Sequence, residues 1–198
     1  MKSSARSSVL IDLAAIRHNV ASLLGRLERG AHMLVAVKAD AYGHGTLPVA
    51  RAVVDAGACG VAVATAEEAV ALRDAGFTSN ILVMGPLYSL DQYQELAARQ
   101  VEFAVVSDHM ASALLSLRSS EHEAKVHLKI DSGMNRQGLF PDQVDEFLAS
   151  IRHIPQIRLA GVMTHFACVA EDLSSVDRQL ERFLPAVERV RREWPQAL

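Results

Sequence analysis

Short apolar runs alternate with amphipathic stretches along most of the chain. Leu34–Lys38, Val61–Ala64, Ile81–Met84, Val101–Val106, Ala124–Ile130 and Leu159–Thr164 each read as a strand, the first of them fully buried. Between them, apolar residues recur at helical spacing. Asp12 can cap a helix carrying Leu13, Ile16, Val20, Leu23, Leu24 and Leu27. Thr46 starts a second helix, with Pro48 in its first turn and Gly57 at its end. Thr65-Ala-Glu-Glu68 is a capping box that opens a helix ending at Gly76. Leu90–Arg99, Met110–Leu117 behind Ser107-Asp108, Pro141–Ile151, and Val176–Arg192 behind Ser174-Ser175 complete the set.

Six strand–helix units in succession imply a parallel sheet, either open and doubly wound or closed into a barrel. A full eight-unit barrel needs about 250 residues. A barrel built from this chain would lack two units at its C-terminal end.

Composition narrows the class without naming a chemistry. The chain has 198 residues, 50% hydrophobic and 22% charged, enough for one globular domain with its own core. A net charge of -3 gives no electrostatic footprint for nucleic acid. No apolar run approaches the ~18 residues of a membrane span, and the polar start, Met1–Ser8, does not read as a signal peptide. Cys59 and Cys168 form neither a metal-ligand spacing nor a disulfide framework, which fits a reduced, cytoplasmic setting.

Candidate chemistry gathers at strand ends. Lys38 follows the apolar run Leu34–Val37 and precedes a polar loop with Asp40, Tyr42, Gly43, His44 and Gly45. A desolvated lysine there is suited to attack a carbonyl as a neutral amine; alternatively it snorkels from a strand end. Lys129, Asp131 and Arg136 end or follow the fifth strand, and Thr164-His165 ends the sixth. In a parallel α/β fold these ends share one face, where active sites sit. The plainer readings are a turn cap for Asp131, a surface charge pair for Lys129 and Arg136, and a core histidine for His165. His122 and His127 read as solvated or strand-edge residues. The chain shows no phosphate loop, dinucleotide fingerprint or nucleophile elbow, and no histidine pair at i, i+4. An aldehyde cofactor that joins a lysine, such as pyridoxal phosphate, is the chemistry left.

Three motifs then carry a family resemblance. Val37-Lys38-Ala39-Asp40-Ala41-Tyr42-Gly43-His44-Gly45 resembles the cofactor-lysine signature of alanine racemases. Lys129–Gly138 and Met163–Ala167 resemble two further motifs, and Ile11-Asp12-Leu13 with Ile16 and Asn19 is similar to the family's first helix. The resemblance implies a pyridoxal-phosphate (β/α) barrel of the TIM type, followed by a C-terminal β domain, working as a cytoplasmic homodimer on a small amino acid. It implies Lys38 as the cofactor lysine and one catalytic base, and Tyr42 at the phosphate. It also implies Arg136 at the phenolic oxygen and substrate carboxylate, Lys129 as its support, carbamylated in some relatives, and His165 at the pyridine ring.

The same resemblance leaves gaps. Ser132 stands where threonine is common, and Cys168–Asp172 follows the family loosely. The family's remaining phosphate loops, its arginine at the ring nitrogen and its opposite-face tyrosine would all lie beyond Leu198. The chain is therefore expected to be an N-terminal barrel fragment, about six units long. Its edge strands near Leu34 and Leu159 would be unpaired, promoting association, and racemisation between L- and D-alanine for cell-wall synthesis would be weak or absent. Racemisation of serine, lysine or a broad range, a non-catalytic cofactor-binding role, and a cofactor-free structural domain remain alternatives.

Overall fold

The computed structural model describes residues 7–197. Most of the polar stretch Met1–Ser8 lies outside them. The elements in order are α1 (Leu13–Leu24), β1 (Leu34–Ala36), α2 (Lys38–Gly43), α3 (Thr46–Asp55), β2 (Gly60–Val63), α4 (Ala66–Asp74), β3 (Asn80–Val83), α5 (Leu90–Ala98), β4 (Glu102–Val105), α6 (Asp108–Ala113), β5 (Ala124–Lys129), α7 (Val144–Ile151), β6 (Ile157–Met163) and α8 (Ser174–Glu193). The six strands form one parallel sheet in strict sequence order, from β1 to β6. β1 and β6 do not pair with each other, so the barrel-type sheet is open, with those two strands as its edges.

Why these runs become strands follows from burial. All four residues of β2 are buried, and Phe103, Ala104 and Val105 of β4 are inaccessible. Strands covered on both faces read as continuous apolar runs. β5 differs. Ala124, Val126 and Leu128 are fully buried, while Lys125 and His127 between them are only half-buried. One face of β5 is dry and packs under the helices; the other is polar. The β5–β6 register slips between Val126 and His127, a bulge that bends the strands where the sheet curves. At Gly60 an added Cβ would collide with the Asn80 carbonyl, so the approach of β2 to β3 requires glycine.

Several helix starts match the sequence. Asp12 caps α1, accepting from the amides of Ala14 at 2.8 Å and Ala15 at 3.1 Å. Thr65–Glu68 and Ser89–Gln92 both form full capping boxes. Arg73, in the last turn of α4, donates to the carbonyls of Phe77 at 2.7 Å, Ser79 at 2.8 Å, and Arg99 and Gln100 at 3.1 Å. One side chain thereby fixes the entries to β3 and β4, and burial lowers its pKa.

Other readings are corrected. The helix expected over Met110–Leu117 begins at Asp108 and tightens to a 3-10 segment, Leu114–Ser119. Ser174 and Ser175 do not cap α8. Asp172 accepts from the Ser174 amide at 2.9 Å and hydroxyl at 2.6 Å, and Ser175 Oγ donates to the Ala167 carbonyl at 3.0 Å. His127 is not at a strand edge: it lies in β5, between β4 and β6, and its Nε2 is 2.7 Å from Glu102 Oε2. Strand β1 stops at Ala36, two residues short of Lys38. Lys38 instead opens α2, and that segment sets the geometry of the candidate site.

Candidate functional site

The segment α2 winds the wrong way for L-residues. Ala39, Asp40, Ala41 and Tyr42 all have φ between 51° and 55°, with ψ from 37° to 54°. Left-handed helical backbone costs about 1–2 kcal/mol per non-glycine residue, so the turn exists because its surroundings hold it. Ala41 N donates to the Val37 carbonyl at 2.9 Å, and Gly45 N to the Asp40 carbonyl at 2.9 Å. Asp40 Oδ1 accepts the Thr46 amide at 2.9 Å, tying the turn to α3. The His44 ring Nδ1–H donates to Ala41 O at 3.0 Å. Glu68 Oε1, from α4, accepts the Ala39 amide at 2.6 Å. Gly43 and Gly45, with φ of 85° and 88°, carry the chain out of the turn where a Cβ would add strain.

The loop after β5 is built around Asp131. Its Oδ1 accepts the amides of Gly133 at 3.0 Å and Asn135 at 2.9 Å, and its Oδ2 accepts the Arg136 amide at 2.9 Å. Burial would raise this carboxyl, but the amides of Asn135, Gly133, Arg136 and Met134 outweigh it and hold the pKa below the usual 3.8. The turn-cap reading of Asp131 is therefore correct. The loop closes where Leu139 N meets the Lys129 carbonyl at 2.8 Å and Asp131 N meets the Leu139 carbonyl at 2.9 Å. Gly138 lies in this crossing with φ 131°; a Cβ there would stand 2.6 Å from Asp131 N.

These turns open on one cavity of about 520 Å³ at the C-terminal ends of the strands. Lys38, Tyr42, Lys129, Arg136 and His165 all line it, so the five residues singled out by sequence converge. Lys129 is 5% exposed, which excludes the surface-pair reading for it. Burial, then the Arg136 and Lys38 charges, lower its pKa against the opposing pull of Asp131. His165 is lowered in the same way, by burial first and then by Arg136, Lys129 and Lys38. His165 sits in the cavity wall and is exposed, so it is no core histidine. Tyr42 is 61% exposed and lies at the edge of the cavity lining.

Sequence reasoning missed Thr65, Met84, Gly85, Pro86 and Gln137, which also line the cavity, beside Ala36, Ala64 and Met163. The Gly85-Pro86 break after the third strand was the available signal. At Gly85 a Cβ would strike the Ala64 carbonyl, so glycine lets two strand ends lie together in the wall. Among the described residues, no carboxylate lines this cavity, and Glu68 and Asp131 spend their oxygens on backbone amides. The arrangement is a cation-rich pocket, with an amine at its mouth on a strained turn, suited to a planar anion of small-molecule size.

Comparison with known proteins agrees with this fold. Residues 11–197 match the family described as alanine racemase, N-terminal domain. The chain is 34% identical over 192 residues to the alanine racemase of Nostoc sp., covering 95% of this chain and 50% of that protein. It is 40% identical over 186 residues to that of Syntrophobacter fumaroxidans, covering 92% and 49%. Among solved structures, alanine racemase from Bacillus anthracis with bound L-Ala-P superposes with a TM-score of 0.84 at 34% identity, over 92% of this chain and 47% of that one. The enzyme from E. faecalis gives 0.82 at 33%, over 91% and 49%. The chain spans about half the length of the curated relatives it matches.

Proposed function

The chain belongs to the alanine racemase family, matching its N-terminal domain, and on that premise we propose that it forms the cofactor-lysine half of a pyridoxal-phosphate-dependent amino-acid racemase. Alanine is the proposed substrate, a homodimer the proposed working unit, and the cytoplasm the proposed setting. Among the described residues, no helix is long and apolar enough to cross a membrane.

The residues present fit the cofactor. The cavity of about 520 Å³ falls in the usual range for small-molecule sites. Lys38, Lys129 and Arg136 crowd positive charge there, lowering the pKa of His165 and, with Asp131 opposing, that of Lys129. Such a crowd is relieved by a phosphate, a phenolic oxygen or a carboxylate. This convergence of cations without a facing acid is the observation that carries the proposal.

Pyridoxal phosphate, when bound, supplies an aldehyde that joins amines and a conjugated ring that takes up negative charge from the substrate Cα. The chain's own residues do the rest. Lys38 Nζ would hold the cofactor aldehyde and, as a neutral amine, would take or return the Cα proton on one face. The Arg136 guanidinium grips a planar carboxylate through parallel hydrogen bonds. Lys129 supports Arg136. As a cation it is repelled by that guanidinium, which, after burial, is one reason its pKa is lowered; a carbamate there would turn the repulsion into attraction. His165, whose pKa is lowered by partial desolvation and its cationic neighbours, can share a proton with the ring's surroundings. Tyr42 offers a hydroxyl at the rim for the phosphate.

The test is direct. The chain is incubated with pyridoxal 5′-phosphate, reduced with borohydride and digested for mass spectrometry. Label confined to Lys38, with a visible absorbance band that Lys38→Ala abolishes, is the expected result. Label on Lys125 or Lys129 with Lys38 untouched would overturn the assignment. Deuterium uptake at Cα of L-alanine in heavy water then separates a racemase from a protein that only holds the cofactor.

A further inference from the structure

Three helical starts in this chain use the same device, a Glu or Gln reaching back to the backbone ahead of the helix. At the start of α5, Gln92 Oε1 accepts the amides of Tyr88 at 2.7 Å and Ser89 at 3.3 Å, and its Nε2 donates to Glu67 at 2.9 Å. Ahead of α7, Gln143 Oε1 accepts the Phe140 amide at 2.7 Å, and its Nε2 donates to Asp108 at 2.9 Å. In both, the carbonyl oxygen serves the turn and the NH2 meets an acid.

At the start of α4 the residue is Glu68, and the difference is chemical. Oε2 does the local work, accepting the amides of Ala64 at 2.7 Å and Thr65 at 3.3 Å. Oε1 accepts the Ala39 amide at 2.6 Å, from a residue 29 positions earlier in the chain. A glutamine would fill the first role but would turn an NH2 toward the Ala39 N–H in the second. The site demands two acceptors, which only a carboxylate supplies.

We propose that Glu68 is a positioning residue for Lys38: by holding the Ala39 amide it locks the left-handed turn that aims the lysine into the cavity. The inference rests on the reading of Lys38 as the reactive amine. It assigns the carboxylate a second duty beyond the helix cap. Ala39 directly follows Lys38 and is the first of the four left-handed residues, so its amide fixes where the turn departs from the strand. The bond also links the wall after β1 to the wall after β2, since Lys38, Ala64 and Thr65 all line the cavity.

The discriminating variant is Glu68→Gln, which keeps size and one acceptor for the cap. Ser89→Ala is the control, because it weakens the equivalent cap of α5 away from the cavity. In Glu68→Gln, amide exchange at Ala39 should quicken and the affinity of pyridoxal 5′-phosphate trapped at Lys38 should fall, each by roughly tenfold, the worth of one charge-assisted hydrogen bond. Ser89→Ala should change neither, although its melting temperature falls at least as far. Unchanged Ala39 exchange, or trapping at Lys38 with the wild-type affinity and pH profile, would overturn the proposal. If the wild-type chain takes no label at Lys38, the functional reading fails instead. The positioning role is then decided by Ala39 exchange and by the rate at which acetic anhydride acylates Lys38, which need no cofactor.

Discussion

Ser132 Oγ lies 2.8 Å from Thr164 Oγ1, and Thr164 Oγ1 donates its own proton to the Ile130 carbonyl at 2.9 Å. With that proton spent, Ser132 must be the donor to Thr164. The pair joins the loop that presents Arg136 to the strand end that presents His165. Ser132 is 1% exposed, so water does not replace a lost partner easily. Thr164→Val keeps the shape and removes the hydroxyl. It should cost about 1–3 kcal/mol, the penalty for leaving buried polar groups unpaired. Urea denaturation would measure it, with Thr164→Ser staying close to wild type.

Asp131 organises the same loop by accepting backbone protons, so its charge matters more than its bulk. Asp131→Ala should cost about 2–3 kcal/mol and loosen Arg136, read by faster amide exchange over 133–136. The pH dependence has a definite sign. The folded pKa lies below the ordinary 3.8, so the unfolded chain binds the proton first as pH falls. The stabilisation is complete above that value and is lost below it, as pH drops toward the folded pKa. Acid unfolding followed by circular dichroism should show this loss in the wild type and less of it in Asp131→Ala.

His165 provides the corresponding test inside the cavity. Its folded pKa is below the ordinary 6.5, through burial first and the charges of Arg136, Lys129 and Lys38 next. Protonation therefore opposes folding: the contribution is fully present above pH 6.5 and fades as pH falls through the folded value. Nuclear magnetic resonance of the imidazole C–H should show titration below 6.5. Arg136→Ala should move the midpoint part of the way back up, with burial keeping the remainder.

Arg73 predicts a purely structural loss. Arg73→Met preserves the aliphatic stem but deserts four carbonyls, at Phe77, Ser79, Arg99 and Gln100. A destabilisation of about 2 kcal/mol is expected. The cavity residues lie elsewhere, so trapping of pyridoxal phosphate at Lys38 should be unchanged in the folded fraction.

The strand–helix alternation was readable because each element is short, apolar and closed by Gly, Asp or Ser. The convergence of Lys38, Arg136 and His165 was readable from topology: parallel strands put their C-terminal ends together. The left-handed turn was not. Ala39-Asp40-Ala41-Tyr42 has no glycine, and local preference argues against that backbone for each residue. The distant Glu68 carboxylate is among the groups that hold it, and no local window contains both partners. The inward place of His127 was legible but unused. Lys125, His127 and Lys129 alternate with Val126, Leu128 and Ile130, the period-two pattern of a strand with one polar face. Reading His127 as a solvated or strand-edge residue overlooked that polar side, on which Glu102 and His127 pair.

A coil wound against the natural hand of its residues has a further meaning for this molecule. It has no reason to persist outside the folded architecture, because α3, α4 and the first strand junction all have to be in place to keep it. The amine at residue 38 is thus held in place only where its supports from separate parts of the chain have met. Selective capture of an aldehyde at that single nitrogen, over the other lysines, should vanish together with cooperative unfolding, making it a built-in gauge of whether a given molecule is completely formed.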